Sequence, residues 1–335
     1  MTWETVLSAL TKRPGVTMFL GASDTGKTTA LRAAAVHLSR AGLLPLAIVD
    51  ADIGQSTIGP PTTVGLTFVE TADAPALSTD ARLPCHAMLF VGALSPPGHL
   101  LQLIVATKRL VDKALRQGAR AVLVDTTGLV GGNLGFQLKL HKVELIEPRH
   151  VVALHRGELE DLLSVLHDRS GLTVHQLEVS YRARTRSVGE RYRYRASRFA
   201  SYFRRARRLQ LETKKLAILS PPTGLAKLTP EPVPPVISLS SFRWQGLRRC
   251  LVALSDASDE TLALGLLDGV TRRGEKMAVL TPLKNYTQVR VVRLTNIRLA
   301  KSGEELDRAQ GVVERKNQRS LLAFEPSEKK GSEVI

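Results

Sequence analysis

The chain has 335 residues, 43% of them hydrophobic, with 47 Lys and Arg against 31 Asp and Glu for a formal net charge of +16. That length and apolar content exclude a disordered chain and lead us to expect one large and one small domain. The charge sits poorly with an enzyme of small metabolites and points to a polyanionic partner, either nucleic acid or an anionic surface.

The first element in chain order is the apolar run Val16–Leu20, read as a short buried strand. It feeds Gly21-Ala22-Ser23-Asp24-Thr25-Gly26-Lys27-Thr28, an unbroken G-x-x-x-x-G-K-[ST], and an alanine-rich helix over 27–41 follows. Backbone N–H groups of such a loop, with a helix N-terminus behind them, cradle the phosphates of a nucleoside triphosphate. Gly21 to Thr29 are therefore the expected nucleotide contacts, with Lys27 on the β- and γ-phosphates and Thr28 on Mg²⁺.

A second strand, 46–49, ends in Asp50-Ala51-Asp52-Ile53-Gly54-Gln55. Carboxylates at the carboxyl end of a strand in such a domain can hold Mg²⁺ or accept the proton of an attacking hydroxyl. Strand 88–91 leads into Ser95-Pro96-Pro97-Gly98-His99, a rigid turn before a helix over 100–117, in which a lone His99 reads as structural. Strand 121–124 ends in Asp125-Thr126-Thr127-Gly128, an equally good magnesium-side carboxylate, so Asp50, Asp52 and Asp125 all stand as candidate ligands. A helix over 136–146, a strand at 151–154, a helix over 159–168 and a strand at 173–179 complete the alternation. Strands that are apolar throughout, alternating with helices, predict an α/β domain with a mainly parallel sheet covered on both faces.

Residues 181–215 break the pattern with eleven Arg and two Lys against only Glu190 and Glu212. Arg182, Arg184, Arg186, Arg191, Arg193, Arg195 and Arg198 precede Tyr202-Phe203, a density of like charge that calls for an anion. An Arg-rich helical lid over about 181–210, closing on phosphates, is the expectation. Six prolines between 221 and 235 mark a linker, and β-like runs at 247–254, 262–267, 276–280 and 289–294 predict a small β-rich C-terminal domain. The expected layout is a P-loop kinase domain at 1–215, a linker at 216–236, the β-rich domain at 237–324 and a flexible tail at 325–335. Two cysteines without metal-ligand spacing, no apolar stretch of membrane-spanning length and no signal-peptide pattern at residues 1–4 lead to the expectation of a soluble cytoplasmic protein with no membrane partner.

Five of these motifs, in this order, resemble the polynucleotide 5′-hydroxyl kinase family, which includes the kinase subunit of the eukaryotic pre-mRNA cleavage factor and the ribosomal-RNA-processing kinases. They are the Gly21–Thr28 loop, Asp50-x-Asp52-x-x-Gln55, Ser95-Pro96, Asp125-Thr126-x-Gly128 and Arg186-x4-Arg191 ahead of Tyr202-Phe203. The resemblance covers about residues 16–210 and implies ATP- and Mg²⁺-dependent phosphorylation of an RNA or DNA 5′-hydroxyl. It implies Asp52 as general base and Lys27, Arg186 and Arg191 as the other catalytic groups. On the substrate side it implies Gln55, Ser95, Pro96, Thr126, Gly128, Arg195 and Arg198, and it raises RNA-processing proteins as partners. Leu129 stands where eukaryotic members carry Trp, and Ser95 where the clasp has Thr. The rival readings are a non-catalytic ATP-binding scaffold of an RNA-processing complex and a P-loop NTPase switch. No Asn/Thr-Lys-x-Asp guanine-reading motif supports the latter.

Overall fold

The computed structural model describes residues 2–72, 77, 82–181, 183–219, 247–271 and 273–306. The proline cluster expected as a linker, the expected tail and Arg182 lie outside the described residues.

Seven strands build the first sheet: β1 Val16–Leu20, β2 Leu46–Ala51, β3 Thr63–Val69, β4 Ala87–Phe90, β5 Ala121–Thr126, β6 His150–His155 and β7 Thr173–Glu178. Their order is β4-β3-β2-β5-β1-β6-β7. β2, β5, β1, β6 and β7 are parallel, while β3 and β4 add an antiparallel edge. β1, β2 and β5 are buried at every position, because each face of the sheet is covered. Met18, Val49 and Val124 point into one core with Leu103, Leu110, Leu138 and Val143 from helices α3 (Leu100–Arg116) and α4 (Gly132–Ile146). Phe19, Ile48 and Leu123 point into the other, against Val6 and Leu10 of α1 (Trp3–Lys12) and Leu31, Ala35 and Leu38 of α2 (Lys27–Arg40). A fifth helix, α5 (Glu160–His167), packs beside β7.

α1 and β3 had no place in the sequence reading. α1 is a short amphipathic helix whose Thr2 cap accepts from the Thr5 amide and whose Val6 and Leu10 share one face. β3 was hidden by Gly65 in its middle; the Ile58 carbonyl occupies the space where a Cβ at 65 would lie, so only glycine fits.

The second sheet runs β14-β13-β10-β11-β12-β8, from β8 Arg207–Glu212, β10 Cys250–Ser255, β11 Thr261–Val270, β12 Lys276–Thr281, β13 Val291–Leu299 and β14 Glu305–Leu306, with β9 Ala217–Leu219 parallel to β13. The boundary expected at 215 therefore moves. β8 pairs along its whole length with β12, so the second sheet already begins at Arg207. The expected linker likewise starts late, since 217–219 form a strand. The arginine-rich segment is thus two elements: helix α6, Val188–Phe203, and an edge strand whose exposed Arg207 and Arg208 keep it from pairing further. The sheets meet where the Phe90 amide donates to Thr261 Oγ1 at 2.9 Å and Lys113 pairs with Glu260 at 2.5 Å. Among the described residues, no helix is long and apolar enough to cross a membrane.

Candidate active site

The site begins where β1 stops. Gly21, at φ +156°, lies so close to the Leu154 carbonyl that a side chain would collide with it. Asp24 (φ +61°) and Gly26 (φ +90°) complete the loop, and Gly26 caps α2 in a left-handed conformation. The loop ties itself together through Thr25, whose hydroxyl donates to the Ala22 carbonyl at 3.0 Å. Lys27 is buried, and its ammonium donates to the same carbonyl at 2.6 Å. At the next residue, the Thr28 hydroxyl donates to Asp125 Oδ2 at 2.5 Å.

Asp50 and Asp125 stand side by side at the ends of paired strands β2 and β5. Their surroundings differ. Asp50 accepts from the Asp52, Thr57 and Ile58 amides and from the Thr57 hydroxyl, at 2.5 to 3.0 Å. Both its oxygens are used in closing the loop 52–58, so as a magnesium ligand it would give up bonds that fix that loop. Burial, and then the Asp52 charge, raise its pKa above the carboxylate norm. Asp125 is pushed up to about 7, first by burial and then by the Asp50 charge. A carboxylate so disfavoured as an anion, with the Thr28 hydroxyl on it, fits a divalent cation that would relieve both effects. Among the described residues no group of three His, Cys, Asp or Glu forms a cage.

Asp52 uses Oδ1 alone, accepting from the Gly54 and Gln55 amides at 3.1 Å each; no described residue bonds to Oδ2. The neighbouring Gln55 donates from Nε2 to the Gly54 carbonyl, and its buried Oε1 has no hydrogen-bond partner among the described residues. An orphan acceptor beside a free carboxylate oxygen is a place for a hydroxyl.

Lys27, Thr28, Thr29, Asp52, Gln55, Arg186 and Arg191 line one cavity of about 730 Å³, together with Ser23, Asp24 and Gly26. Six lining residues lie outside the set of site residues expected from the sequence: Arg32, Thr57, Ala183, Arg184, Glu190 and Tyr194. Arg32 carried a usable signal, since it follows Thr28 by one helical turn and shares its face. Tyr194 carries Arg186 over its ring at 5.6 Å and donates to the Ser56 carbonyl at 3.1 Å.

Other expected residues serve the frame instead. Arg198 is buried and donates to the Thr57 and Gly59 carbonyls at 2.9 Å, so it ties α6 to the Asp50 loop rather than facing substrate. Arg195 faces the second sheet and pairs with Glu305 at 2.6 Å. Thr126 is buried; its hydroxyl donates to the Phe19 carbonyl and accepts from Lys139. Gly128 packs against Ser23, where any Cβ would strike the phosphate loop. Ser95 is exposed and Pro96 buried, outside the cavity lining, although the preceding Leu94 carbonyl abuts Gly54.

The arginines expected in a lid contact the phosphate loop directly. The Arg186 amide and the Arg191 guanidinium both reach Asp24 Oδ2, at 3.0 and 2.7 Å, so this loop residue faces the arginines. A Ser187–Glu190 capping box starts α6, and anchors then follow along it at Tyr194, Arg195, Arg198 and Phe199. The helix carries its arginines over the cradle with these anchors in place.

Under the site lie two fully buried lysines of α4. Lys139 donates to Thr126 Oγ1 at 3.0 Å and to the Thr127 carbonyl at 2.5 Å, and burial drives its pKa well below the lysine norm. Lys142 has no hydrogen-bond partner among the described residues, and burial lowers it to about 7.

A family model described as mRNA cleavage and polyadenylation factor CLP1 P-loop matches residues 21–205. A polyribonucleotide 5′-hydroxyl-kinase of Thermococcus kodakarensis is 28% identical over 327 residues, covering 88% of this chain and 91% of that protein. The protein of that name from Pyrococcus furiosus is 28% identical over 340 residues, covering 91% of this chain and 92% of its own. Among solved structures, a Clp1p–Pcf11p complex aligns at a TM-score of 0.61 and 13% identity, over 88% of this chain and 78% of that one, a likeness of fold.

Proposed function

The chain belongs to the mRNA cleavage and polyadenylation factor CLP1 P-loop family, and from that premise we propose that it is an ATP-dependent polynucleotide 5′-hydroxyl kinase. The observation that carries this reading is the shared cavity: phosphate loop, Asp52, Gln55 and two arginines face one space. A nucleotide switch would use a free carboxylate oxygen and an orphan amide acceptor to hold a water, so transfer to a hydroxyl rather than hydrolysis is what the test must show. A kinase uses both to receive one hydroxyl. The names of the relatives, polyribonucleotide 5′-hydroxyl-kinases, favour RNA as the polynucleotide. A cytoplasmic setting and RNA-processing protein partners belong to the same reading.

The chemistry follows from the residues. Lys27 gives up the Ala22 carbonyl and, with the loop amides, holds the triphosphate. Gln55 Oε1 accepts a hydrogen bond from the 5′-hydroxyl and orients it toward Asp52. Asp52 Oδ2 takes the hydroxyl proton as the oxygen attacks the γ-phosphorus in line and ADP leaves. Arg191 and Arg186 stabilise the charge spread over the transferring phosphoryl oxygens. Mg²⁺, with Thr28, Asp125 and Asp52 as candidate ligands, supplies further neutralisation of phosphate charge when bound.

The test offers γ-labelled ATP with matched 5′-hydroxyl RNA and DNA oligonucleotides. Label on the 5′ end of RNA is the expected result. Hydrolysis of ATP with no label on any oligonucleotide would overturn the assignment.

A further inference from the structure

The second sheet makes contact with the arginine helix at every turn of its far half. Phe199 is fully buried among Leu251, Ala253, Leu264, Leu266, Ile297 and Leu299, and the Tyr202 hydroxyl accepts from the Leu264 amide at 2.9 Å. Toward the cavity, Arg195 Nε donates to Glu305 Oε1 at 2.6 Å, and the Tyr192 hydroxyl donates to the Glu305 carbonyl at 3.2 Å. Between them, Gly303 (φ +84°) presses its Cα onto the helix backbone, so that a Cβ there would collide with the Ala196 carbonyl and the Ala200 amide. One turn before Arg195 on the same rigid helix stands Arg191, about 6 Å along the axis. Its guanidinium crosses the cavity to Asp24.

We infer that the second domain is the mount of the arginine helix, and that Gly303 and Glu305 are positioning residues for Arg186 and Arg191 although neither reaches the cavity. The inference rests on the kinase reading for its effect on turnover, but not for the mount itself. Two fixed points define a line: Asp24 holds the arginine end, and the 303–305 turn sets how far the helix stands from the cradle. Displacing a catalytic guanidinium by about 1 Å is enough to lose on the order of a hundredfold in rate. The phosphate loop is built on β1 and α2 and packs against Leu154 of β6 and Gly128 after β5, so nucleotide affinity depends on the mount less than turnover does.

The experiment compares wild type, Glu305→Gln, Gly303→Val and the charge swap Arg195→Glu with Glu305→Arg. It measures steady-state phosphoryl transfer, direct ATP binding without acceptor, and hydrogen exchange of amides 189–196. Expected are a kcat lowered roughly tenfold in Glu305→Gln and about a hundredfold in Gly303→Val. ATP dissociation constants should stay within about twofold, exchange along α6 should be faster, and the swap should recover activity in part. Wild-type kcat and wild-type exchange in Glu305→Gln would overturn the inference. So would losses of activity and ATP binding that fall together, which is the mark of general unfolding. If Gly303→Val does not fold, Glu305→Gln and the swap decide alone. A wild type that labels no oligonucleotide refutes the kinase reading, and hydrogen exchange still judges the mount.

Discussion

The phosphate cradle and the arginine helix arrive at one cavity by opposite routes. The cradle is eight consecutive residues between a strand and a helix, and most of its bonds are local, as between Thr25 or Lys27 and Ala22. The helix is placed by partners far away in sequence: Asp24, Thr57, Gly59 and Glu305. A local device is written in a short motif and tolerates change elsewhere. A device held at a distance inherits the precision of the whole fold, and is damaged from many positions.

The largest expected effect strikes the local device. Lys27→Ala removes the cation on the triphosphate, and transfer to an oligonucleotide should fall by roughly a thousandfold or more, read as label incorporation. Asp52→Asn keeps the Oδ1 turn to Gly54 and Gln55 but cannot take a proton, so kcat should drop about 10²- to 10⁴-fold with ATP binding intact. Full turnover by that variant would remove Asp52 from the base role. Asp24→Asn tests the join between the two devices. It weakens the grip on Arg191 while leaving the loop glycines in place, so kcat should fall about tenfold with little change in ATP affinity.

The smallest effect concerns stability beneath both devices. Lys142 keeps its proton in the folded chain only below about 7, whereas an unfolded lysine keeps it to about 10.5. Between those values the unfolded state binds more protons, so wild-type stability rises with pH across that window. Lys142→Met removes the Lys142 share of that slope, leaving that of Lys139, and should stabilise the nucleotide-free protein at pH 7.5 by on the order of 2 kcal/mol. The gain should fade as the pH approaches 10, which melting curves at several pH values will show.

Much of the first sheet could be read in advance because β1, β2, β5 and β6 are buried on both faces, and their apolar runs end in chemistry-bearing residues. β3 could not, since Gly65 broke its pattern for the sake of a contact with Ile58. Within the site, Lys27, Asp52 and Arg191 were legible from motif and charge. Arg195 and Arg198 were not distinguishable from Arg191 by sequence, because all three share one basic helix and only their distant partners tell them apart. Asp50 and Asp52 differ in the same way: four donors from the loop it closes engage Asp50, and no letter in the sequence announces that closure.

The burial of Phe199 in the second sheet carries a practical consequence for anyone dissecting the molecule. A fragment stopping at residue 205, where the family match ends, would lay bare that ring together with Tyr202 and Phe203. Such a greasy patch on a truncated kinase invites self-association during expression. Autonomy, for this enzyme, belongs to the pair of sheets and not to either half.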